Sequence, residues 1–357
     1  MLRLEKRKNP SKGWSYASPI VAVLMTMVAG GIMFTLLGVD PLEAIRIIFW
    51  DPLFNAQFAG YSRPQLLVKA APLVLIAIGL AMGFRAGIWN IGAEGQYIMG
   101  AIIGGGIGLA FYPLDAWWIY PLMVICGGLG GCLWAMIPAI LKAKFNTNEI
   151  LVSLLLVYVA ENILASVSLG LLRNPDGQGF PGSRNFKDFP AAHNDFLIPS
   201  MGVHWGVIFA VLAVIIGWFI MRYHVFGYRL RLLGESPRAA RFSGVIPGRM
   251  VIYAFAISGS LAGLAGLFEV TGPSSQITDS FNSGYGFTAI IVAFLGRLNP
   301  VGILLGALLL GLTYIGGELA QLMLSLPASS ISAFQGMLLF FLLATDIFTN
   351  YRVRIGK

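Results

Sequence analysis

Two long apolar segments are joined by the sequence Gly83-Phe-Arg-Ala-Gly-Ile-Trp-Asn-Ile-Gly-Ala-Glu-Gly-Gln-Tyr-Ile-Met-Gly-Ala101, which sets Asn90, Glu94 and Gln96 among glycines. Glycines permit a broken or re-entrant backbone, which is tolerated at membrane depth only against protein or a water-filled path. A charged side chain at the bilayer centre costs about 2.5–3.5 kcal/mol on insertion scales. We therefore expect Glu94 to be paired, protonated or near water, within a helix break of a membrane protein.

The polar side chains of this junction have two interpretations. On a continuous helix, Asn90 and Glu94 would share one face, because residues four apart are neighbours there. Asn90, Glu94 and Gln96 are then candidates for lining a substrate pathway. The alternative is that they only cap and stitch a helix break without touching substrate, and the sequence favours neither interpretation.

The composition supports a membrane protein. Of 357 residues, 57% are hydrophobic and only 11% are charged, whereas soluble domains are about a quarter charged. The net charge of +8 comes from 24 Lys and Arg, which stand in short runs between apolar segments. A nucleic-acid-binding protein would gather them on one solvated face. The pattern is instead typical of basic loops that orient membrane spans.

Ten apolar segments of about spanning length follow one another along the chain. Backbone groups in lipid must hydrogen-bond internally, and the segments lack the period-two alternation of barrel strands. We therefore predict an all-α, polytopic transmembrane helical bundle of about ten spans, including broken or re-entrant segments. One of them, 285–296, is short enough to be a half-helix. The segments are 18–38, 64–83, 96–112, 117–140, 149–171, 205–221, 250–271, 285–296, 300–318 and 331–348.

The basic residues also predict the orientation of these spans. With the N-terminus inside, eighteen of the 24 Lys and Arg fall on the cytoplasmic side, as the positive-inside rule requires. Both termini are then cytoplasmic, provided that 285–296 crosses the membrane. We predict a single permease domain over 1–357, with a basic cytoplasmic N-terminus at 1–17, a long outer loop at 172–204 and a cytoplasmic loop at 222–249.

Glycines recur at four-residue spacing inside the predicted spans. This spacing lets neighbouring helices approach closely, and so predicts a tightly packed bundle rather than a binding site. The repeats are Gly100-Gly104-Gly108, Gly127-Gly131, Gly259-Gly263 and Gly302-Gly306. Cys126 and Cys132 lie about 240° apart around a helix and cannot pair. Since the three histidines are scattered, no metal site is predicted.

Four further polar or acidic positions lie within or near the spans. Glu161 and Asn162 are in the middle of an apolar run, where they are candidates for the pathway or for an interhelical bond. Glu269 and Glu318 are near outer helix ends and are expected at the membrane interface. The chain has no Gly-x4-Gly-Lys-Ser/Thr phosphate loop and no pair of candidate catalytic groups. If ATP drives this protein, another subunit must hydrolyse it.

The cytoplasmic loop contains a second informative motif. Ser236 and Pro237 have the residue types of a helix start, with Ser as the cap and Pro in the first turn. A short helix from Arg238 to Ser243 would then end at Gly244, a residue typical of helix ends. Such a basic helix can lie on anionic lipid headgroups. Its shortness, its cap signals and its small alanine face favour docking into a protein groove instead.

These motifs carry a resemblance to one protein family. Asn90-Ile-Gly-Ala-Glu-Gly-Gln96 resembles the signature of permease subunits of bacterial ABC importers for nucleosides and simple sugars. Gly234-Glu-Ser-Pro-Arg-Ala-Ala-Arg-Phe-Ser-Gly244 is similar to their cytoplasmic coupling loop. The block from Gly286 to Gly302, with its Gly-Arg-Leu-Asn-Pro-Val-Gly ending, and Asn148-Glu149-Ile150 also fit, in the expected order.

The resemblance implies the first, longer member of a permease pair in the bacterial cytoplasmic (inner) membrane, a transport subunit rather than an enzyme. It implies a second related permease, a periplasmic or lipoprotein substrate-binding protein, and cytoplasmic ATPase subunits. ATP and Mg²⁺ would be used by the ATPase, with no cofactor in this chain and no nucleic acid as partner. The expected cargo is a nucleoside, of purine type, or a simple sugar. The implied ATPase-coupling residues are Gly234, Glu235, Ser236, Pro237, Arg238, Ala239, Ala240, Ser243 and Gly244.

The chain departs from the family's pattern at one place, and one alternative function remains open. The family usually has an Asn-Tyr pair in the fifth span, where this chain has Val157-Tyr158, with Asn162 one turn later. The alternative function is a stand-alone secondary transporter or channel. Such a carrier would be expected to show strong inverted repeats and several coupling carboxylates, and this chain shows only a loose echo of a repeat.

Overall fold

The structure is a computed structural model that describes residues 2–7, 11–177, 181–194, 196–198 and 202–355. In that part of the chain, α-helices predominate and the four strands are short. The helices are α1 (Lys12–Leu36), α2 (Pro41–Phe49), α3 (Asp51–Phe54), α4 (Ala59–Arg85), α5 (Ala93–Ala110), α6 (Ile119–Phe145), α7 (Glu149–Leu169), α8 (Trp205–Tyr223), α9 (Val225–Glu235), α10 (Pro237–Phe242), α11 (Pro247–Thr271), α12 (Tyr285–Leu295), α13 (Pro300–Leu324) and α14 (Ala328–Asn350). The strands are β1 (Leu2–Lys6), β2 (Phe196–Ile198), β3 (Val203–His204) and β4 (Tyr351–Ile355), and two single 3-10 turns cover Phe186–Asp188 and Pro190–Ala192.

A helix occupies each of the ten predicted apolar segments. Eight of these helices are long and apolar enough to cross a membrane. The other two are α5, whose first turn holds Glu94, and the 11-residue α12. At 1.5 Å per residue α12 spans about 16 Å, roughly half of the hydrocarbon core. The predicted fold class, a polytopic helical membrane protein with broken segments, is confirmed.

The chain forms two compact units, of which the first contains residues 1–66 and 309–357. In it, Phe34 and Phe334 stack at 5.8 Å within a buried apolar cluster that includes Ile48. Strands β1 and β4 pair antiparallel, and Arg352 forms an ion pair of 2.9 Å with Glu5. The two ends of the chain therefore lie side by side.

The second unit, residues 67–308, is built around α5, α6 and α11. The helices touch through the predicted glycines. A Cβ atom on Gly100 would overlap the backbone of Gly263, and one on Gly131 would overlap the carbonyl oxygen of Gly259. The prediction of close glycine packing is confirmed, and Cys126 and Cys132 are free. The extent of the permease domain, 1–357, stays a prediction.

Candidate functional site at the α4–α5 junction and the cytoplasmic loop

The predicted backbone break lies between α4 and α5. Residues 86–92 are not helical, and Gly87 adopts a φ of +72°. The amides of Ala86 and Ile88 both donate to the carbonyl oxygen of Gly83, at 2.9 and 3.0 Å. Since α5 begins only after Gly92, Asn90 lies in the break. Asn90 and Glu94 would share a face only on a continuous helix, and no continuous helix connects them.

Asn90 instead pairs with Gln96. Its amide nitrogen donates to Gln96 Oε1 at 2.8 Å, and the Gln96 amide donates back to Asn90 Oδ1 at 3.0 Å. Asn90 also donates to Ser258 Oγ on α11 at 3.0 Å and accepts from the amide of Gly92. Both amide side chains are buried. They therefore stitch the break to the first turn of α5 and to α11.

The break also packs directly on α7. The amide of Ile91 donates to Ser153 Oγ at 3.2 Å. A Cβ atom on Gly92 would lie 2.7 Å from the carbonyl oxygen of Ser153, closer than real Cβ atoms come. Only glycine at position 92 allows the break and α7 to meet at this distance.

Glu94 holds the start of the half-helix α12. Its Oε2 accepts from the amide of Gly286 at 2.5 Å, and the side chain is buried. Gly284, the N-cap residue of α12, provides no side-chain cap, so the carboxylate of Glu94 serves that purpose. A carboxylate is stabilised at a helix N-terminus by the free N–H groups and the helix dipole. A Cβ atom on Gly286 would overlap the backbone of Glu94, so glycine is required here too.

The two predicted pathway residues on α7 differ. Glu161 is half-buried and close enough to Glu94 for the two carboxylates to interact electrostatically. Asn162 is exposed and donates to the carbonyl oxygen of Tyr158 on its own helix at 2.7 Å. The structure thus brings Asn90, Glu94 and Gln96 together, with Glu161 near them, and leaves Asn162 apart. Their role in transport stays a prediction.

A cavity of about 550 Å³ lies between the C-terminal ends of α5 and α7, the ends predicted to face outwards. Its walls are mainly apolar, with residues such as Ile107 and Leu172, and it also contains Arg173 and Arg184. Arg184 pairs with Asp176 at 2.8 Å. The cavity is therefore an apolar cleft with guanidinium groups among its lining.

The short helix predicted in the cytoplasmic loop is present as α10. Ser236 caps it by accepting from the amide of Ala239 at 3.4 Å, and Pro237 is its first residue. The chain leaves it at Gly244, which has a φ of +77°. Ala240 is fully buried, whereas Phe242 is 95% exposed. The helix therefore presents an uncovered aromatic ring among the exposed side chains of Arg238 and Arg241.

A second buried polar cluster lies near the predicted outer ends of α8 and α11. Glu269 is buried, not exposed at an interface as expected, and it accepts from Ser274 Oγ at 3.3 Å. His204 caps α8 by accepting from the amide of Gly206 at 3.1 Å. Burial, together with nearby His193, lowers the pKa of His204 to about 4. The ring is thus a neutral structural cap at neutral pH.

Sequence reasoning missed Ser153, Ser258 and Gly286 as members of the junction. Ser153 and Ser258 are single hydroxyls within apolar runs, and no spacing relates them to Asn90. Gly286 begins a motif that carried the family resemblance, yet nothing in the sequence pairs it with Glu94. These contacts join residues from 62 to 192 positions apart.

Comparison with known proteins identifies the family of this chain. Residues 63–343 match the family described as branched-chain amino acid transport system/permease component. The chain belongs to this family. It is a permease subunit of an ABC importer and not an enzyme, and its helices make it a multi-pass membrane protein. Membership of the family implies an ATPase and a substrate-binding protein as partners.

Several characterised relatives match this permease over most of their length. The glucose ABC transporter permease protein of Haloferax volcanii is 32% identical over 99% of this chain and 94% of the relative. Two guanosine ABC transporter permease proteins of Bacillus subtilis are also similar. One is 28% identical over 95% of both chains, and the other is 30% identical over 74% of this chain and 85% of its own. No solved structure matches.

Proposed function

We propose that this permease imports a nucleoside, of purine type, or a simple sugar across the bacterial cytoplasmic (inner) membrane. The support is the cargo of its relatives, which include a glucose and a guanosine ABC transporter permease protein aligned over nearly the whole chain. The proposed mechanism is ATP-driven import, in which Mg²⁺ and ATP are used by a separate subunit and a periplasmic or lipoprotein binding protein delivers the substrate.

We propose a heterodimer with a second, related permease. Bacillus subtilis has two different guanosine permease proteins that both resemble this chain, and this chain aligns over more of its length with one of them. The exposed apolar face of α7, with Leu155 and Tyr158, is a surface that lipid or a second subunit must cover. In a heterodimer, each chain would supply half of the pathway.

The proposed pathway of this half runs along α5 and α7. It leads from the cavity at their outer ends towards Glu161 and the junction of Asn90, Glu94 and Gln96. The buried amides and carboxylate line no open channel in this conformation, so they would act by holding the break and α12 in position during transport.

The exposed surface of α10 is the observation that supports coupling to an ATPase. A capped, basic helix with a 95% exposed phenylalanine is costly to leave in water, and its shape suits a groove on another protein. We assign coupling to the ATPase to Gly234, Glu235 and the α10 region up to Gly244. The exposed residues Arg238, Arg241 and Phe242 would make the direct contacts.

The test is uptake into proteoliposomes that contain this chain, its partner permease and the ATPase, with the loaded binding protein outside. We expect uptake of labelled guanosine or labelled glucose only with ATP and a hydrolysing ATPase. A matched vesicle with a Walker-lysine variant of the ATPase is the control. Normal uptake by this chain without any ATPase would contradict the proposal and indicate a stand-alone carrier or channel.

A further inference from the structure

We propose that Gly234 transmits motion of α10, the helix on which the ATPase would dock, to the α4–α5 break. It would do so through direct backbone contact with the end of α4. This inference rests on the proposed docking of an ATPase on α10. It specifies the contact through which Gly234 would act and names the element that it moves.

The contact itself is unusually close. A Cβ atom on Gly234 would overlap the carbonyl oxygen of Arg85, the last residue of α4, and would lie 3.3 Å from the Cα atom of Ala86. The last turn of α9 therefore rests on the point where α4 stops and the break begins. Arg231 on α9 and Arg85 carry like charges that repel, so packing, not an ion pair, holds this contact.

No flexible segment separates α10 from Gly234. Only Ser236 separates α9 from α10; its amide donates to the Leu232 carbonyl and its own carbonyl accepts from the Ala240 amide, both at 3.0 Å. At the other end, a Cβ atom on Gly227 would overlap the carbonyl oxygen of Ile220 on α8. A push on α10 is therefore passed along α9 rather than absorbed in a flexible loop.

The break receives this motion and contacts the rest of the unit. Trp89, within it, stacks with Phe294 of α12 at 5.8 Å, and Phe84 of α4 stacks with the same ring at 5.3 Å. The Asn90 amide holds α11, and the carboxylate of Glu94 holds the start of α12. A displacement at Arg85 thus reaches both ends of the half-helix α12.

The first test is Gly234→Ala, with Gly248→Ala as the matched control, since a Cβ atom on Gly248 would lie at an ordinary 3.6 Å from Ala143. Alanine is a better helix former than glycine, so Gly234→Ala does not weaken α9 itself. In the reconstituted complex, we expect Gly234→Ala to keep the ATPase bound and hydrolysing while substrate uptake falls about tenfold. Gly248→Ala should transport like the wild type.

Each other outcome has a definite meaning. Wild-type uptake by Gly234→Ala would overturn the proposal. Loss of the ATPase from the purified complex would also overturn it, because Gly234 would then belong to the docking surface. If α10 variants failed to release the ATPase, the proposed docking on α10 would be contradicted. The uptake by Gly234→Ala would still test the contact between Gly234 and Arg85.

Hydrogen exchange of the wild-type complex provides a test that needs no variant. We expect binding of a non-hydrolysable ATP analogue to change the exchange of amides in residues 86–92. The same change should occur in Gly248→Ala and be absent in Gly234→Ala. Unchanged exchange of this segment in the wild type would overturn the proposal even if Gly234→Ala did not fold.

Discussion

At the residue scale, Glu94 has the clearest structural task. Its carboxylate lies at the N-terminus of a helix that has no cap of its own, and it is 1% exposed. Its Oε1 has no hydrogen-bond partner among the described residues. A buried charge with incomplete partners is costly, so the attraction of the α12 N-terminus must compensate for much of that cost.

We predict that Glu94→Gln impairs transport. The amide keeps the size of the side chain but loses the negative charge, which weakens the cap by roughly 1–2 kcal/mol. Uptake in proteoliposomes should fall several-fold with a normal amount of assembled complex. Glu43→Gln, on the exposed face of α2, is the control and should behave like the wild type. Unimpaired uptake by Glu94→Gln would leave Glu94 with no role in transport.

His204 predicts a pH dependence of stability. Its folded-state pKa of about 4 is below the ordinary 6.5, so the fold favours the neutral ring. The stabilisation is complete above pH 6.5 and is lost as the pH falls towards 4, by roughly 3 kcal/mol at most. Protonation of Nδ1 would also end its acceptance from Gly206.

The measurement is the melting temperature of the detergent-purified protein between pH 7.5 and 4.5. His204→Asn is the matched variant, because asparagine also caps helices but does not titrate. We expect the wild type to lose more stability than His204→Asn over this range. Parallel curves for the two proteins would show that His204 is not responsible.

At the element scale, the cytoplasmic loop is organised by local capping. Ser236 ends α9 and caps α10, and Gly244 lets the chain turn away through a left-handed conformation that favours glycine. Replacement of such a serine cap by alanine costs about 1 kcal/mol. The geometry of α10 is therefore set mainly by residues within the loop.

We predict that Arg238→Glu releases the ATPase from the complex. Arg238 is exposed on α10, and reversal of its charge opposes any acidic groove that receives the helix. Co-purification of the ATPase should fall at least several-fold, while docking of the loaded binding protein on the other side is unchanged. Arg249→Glu, which makes the same charge change at an exposed site on α11, should retain the ATPase.

At the scale of the whole molecule, the pairing of the two terminal strands constrains how many times the chain crosses the membrane. The pairing of β1 with β4 requires an even number of crossings between them. If α5 crosses in addition to the eight long helices, the region of α12 must cross as well. Because α12 alone spans about 16 Å, the non-helical segment 272–284 would have to complete that crossing.

We predict that both termini are cytoplasmic. Fluorescent-protein fusions at either end should fluoresce, and alkaline-phosphatase fusions should be inactive, as the positive-inside rule requires. A phosphatase fusion inside the outer loop 172–204 is the positive control. An active phosphatase at the C-terminus alone would rule out the pairing of the terminal strands.

The sequence by itself determined the features that depend on local pattern. Apolar length located all ten helical segments, glycine spacing identified the helices that pack most closely, and the Ser-Pro pair located α10. These features are readable because each depends on residues a few positions apart. Local spacing could not place Asn90 relative to Glu94, because the predicted break separates them and helical periodicity does not apply across it.

Only the tertiary structure decided what the junction contacts. The pairing of Glu94 with Gly286, of Asn90 with Ser258 and of Gly234 with Arg85 joins segments far apart in the chain. In each case the contact depends on how closely two backbones approach, and no local pattern encodes that distance. The sequence therefore determines which residues are polar and which are glycine, and packing of the helices decides which of them are in contact.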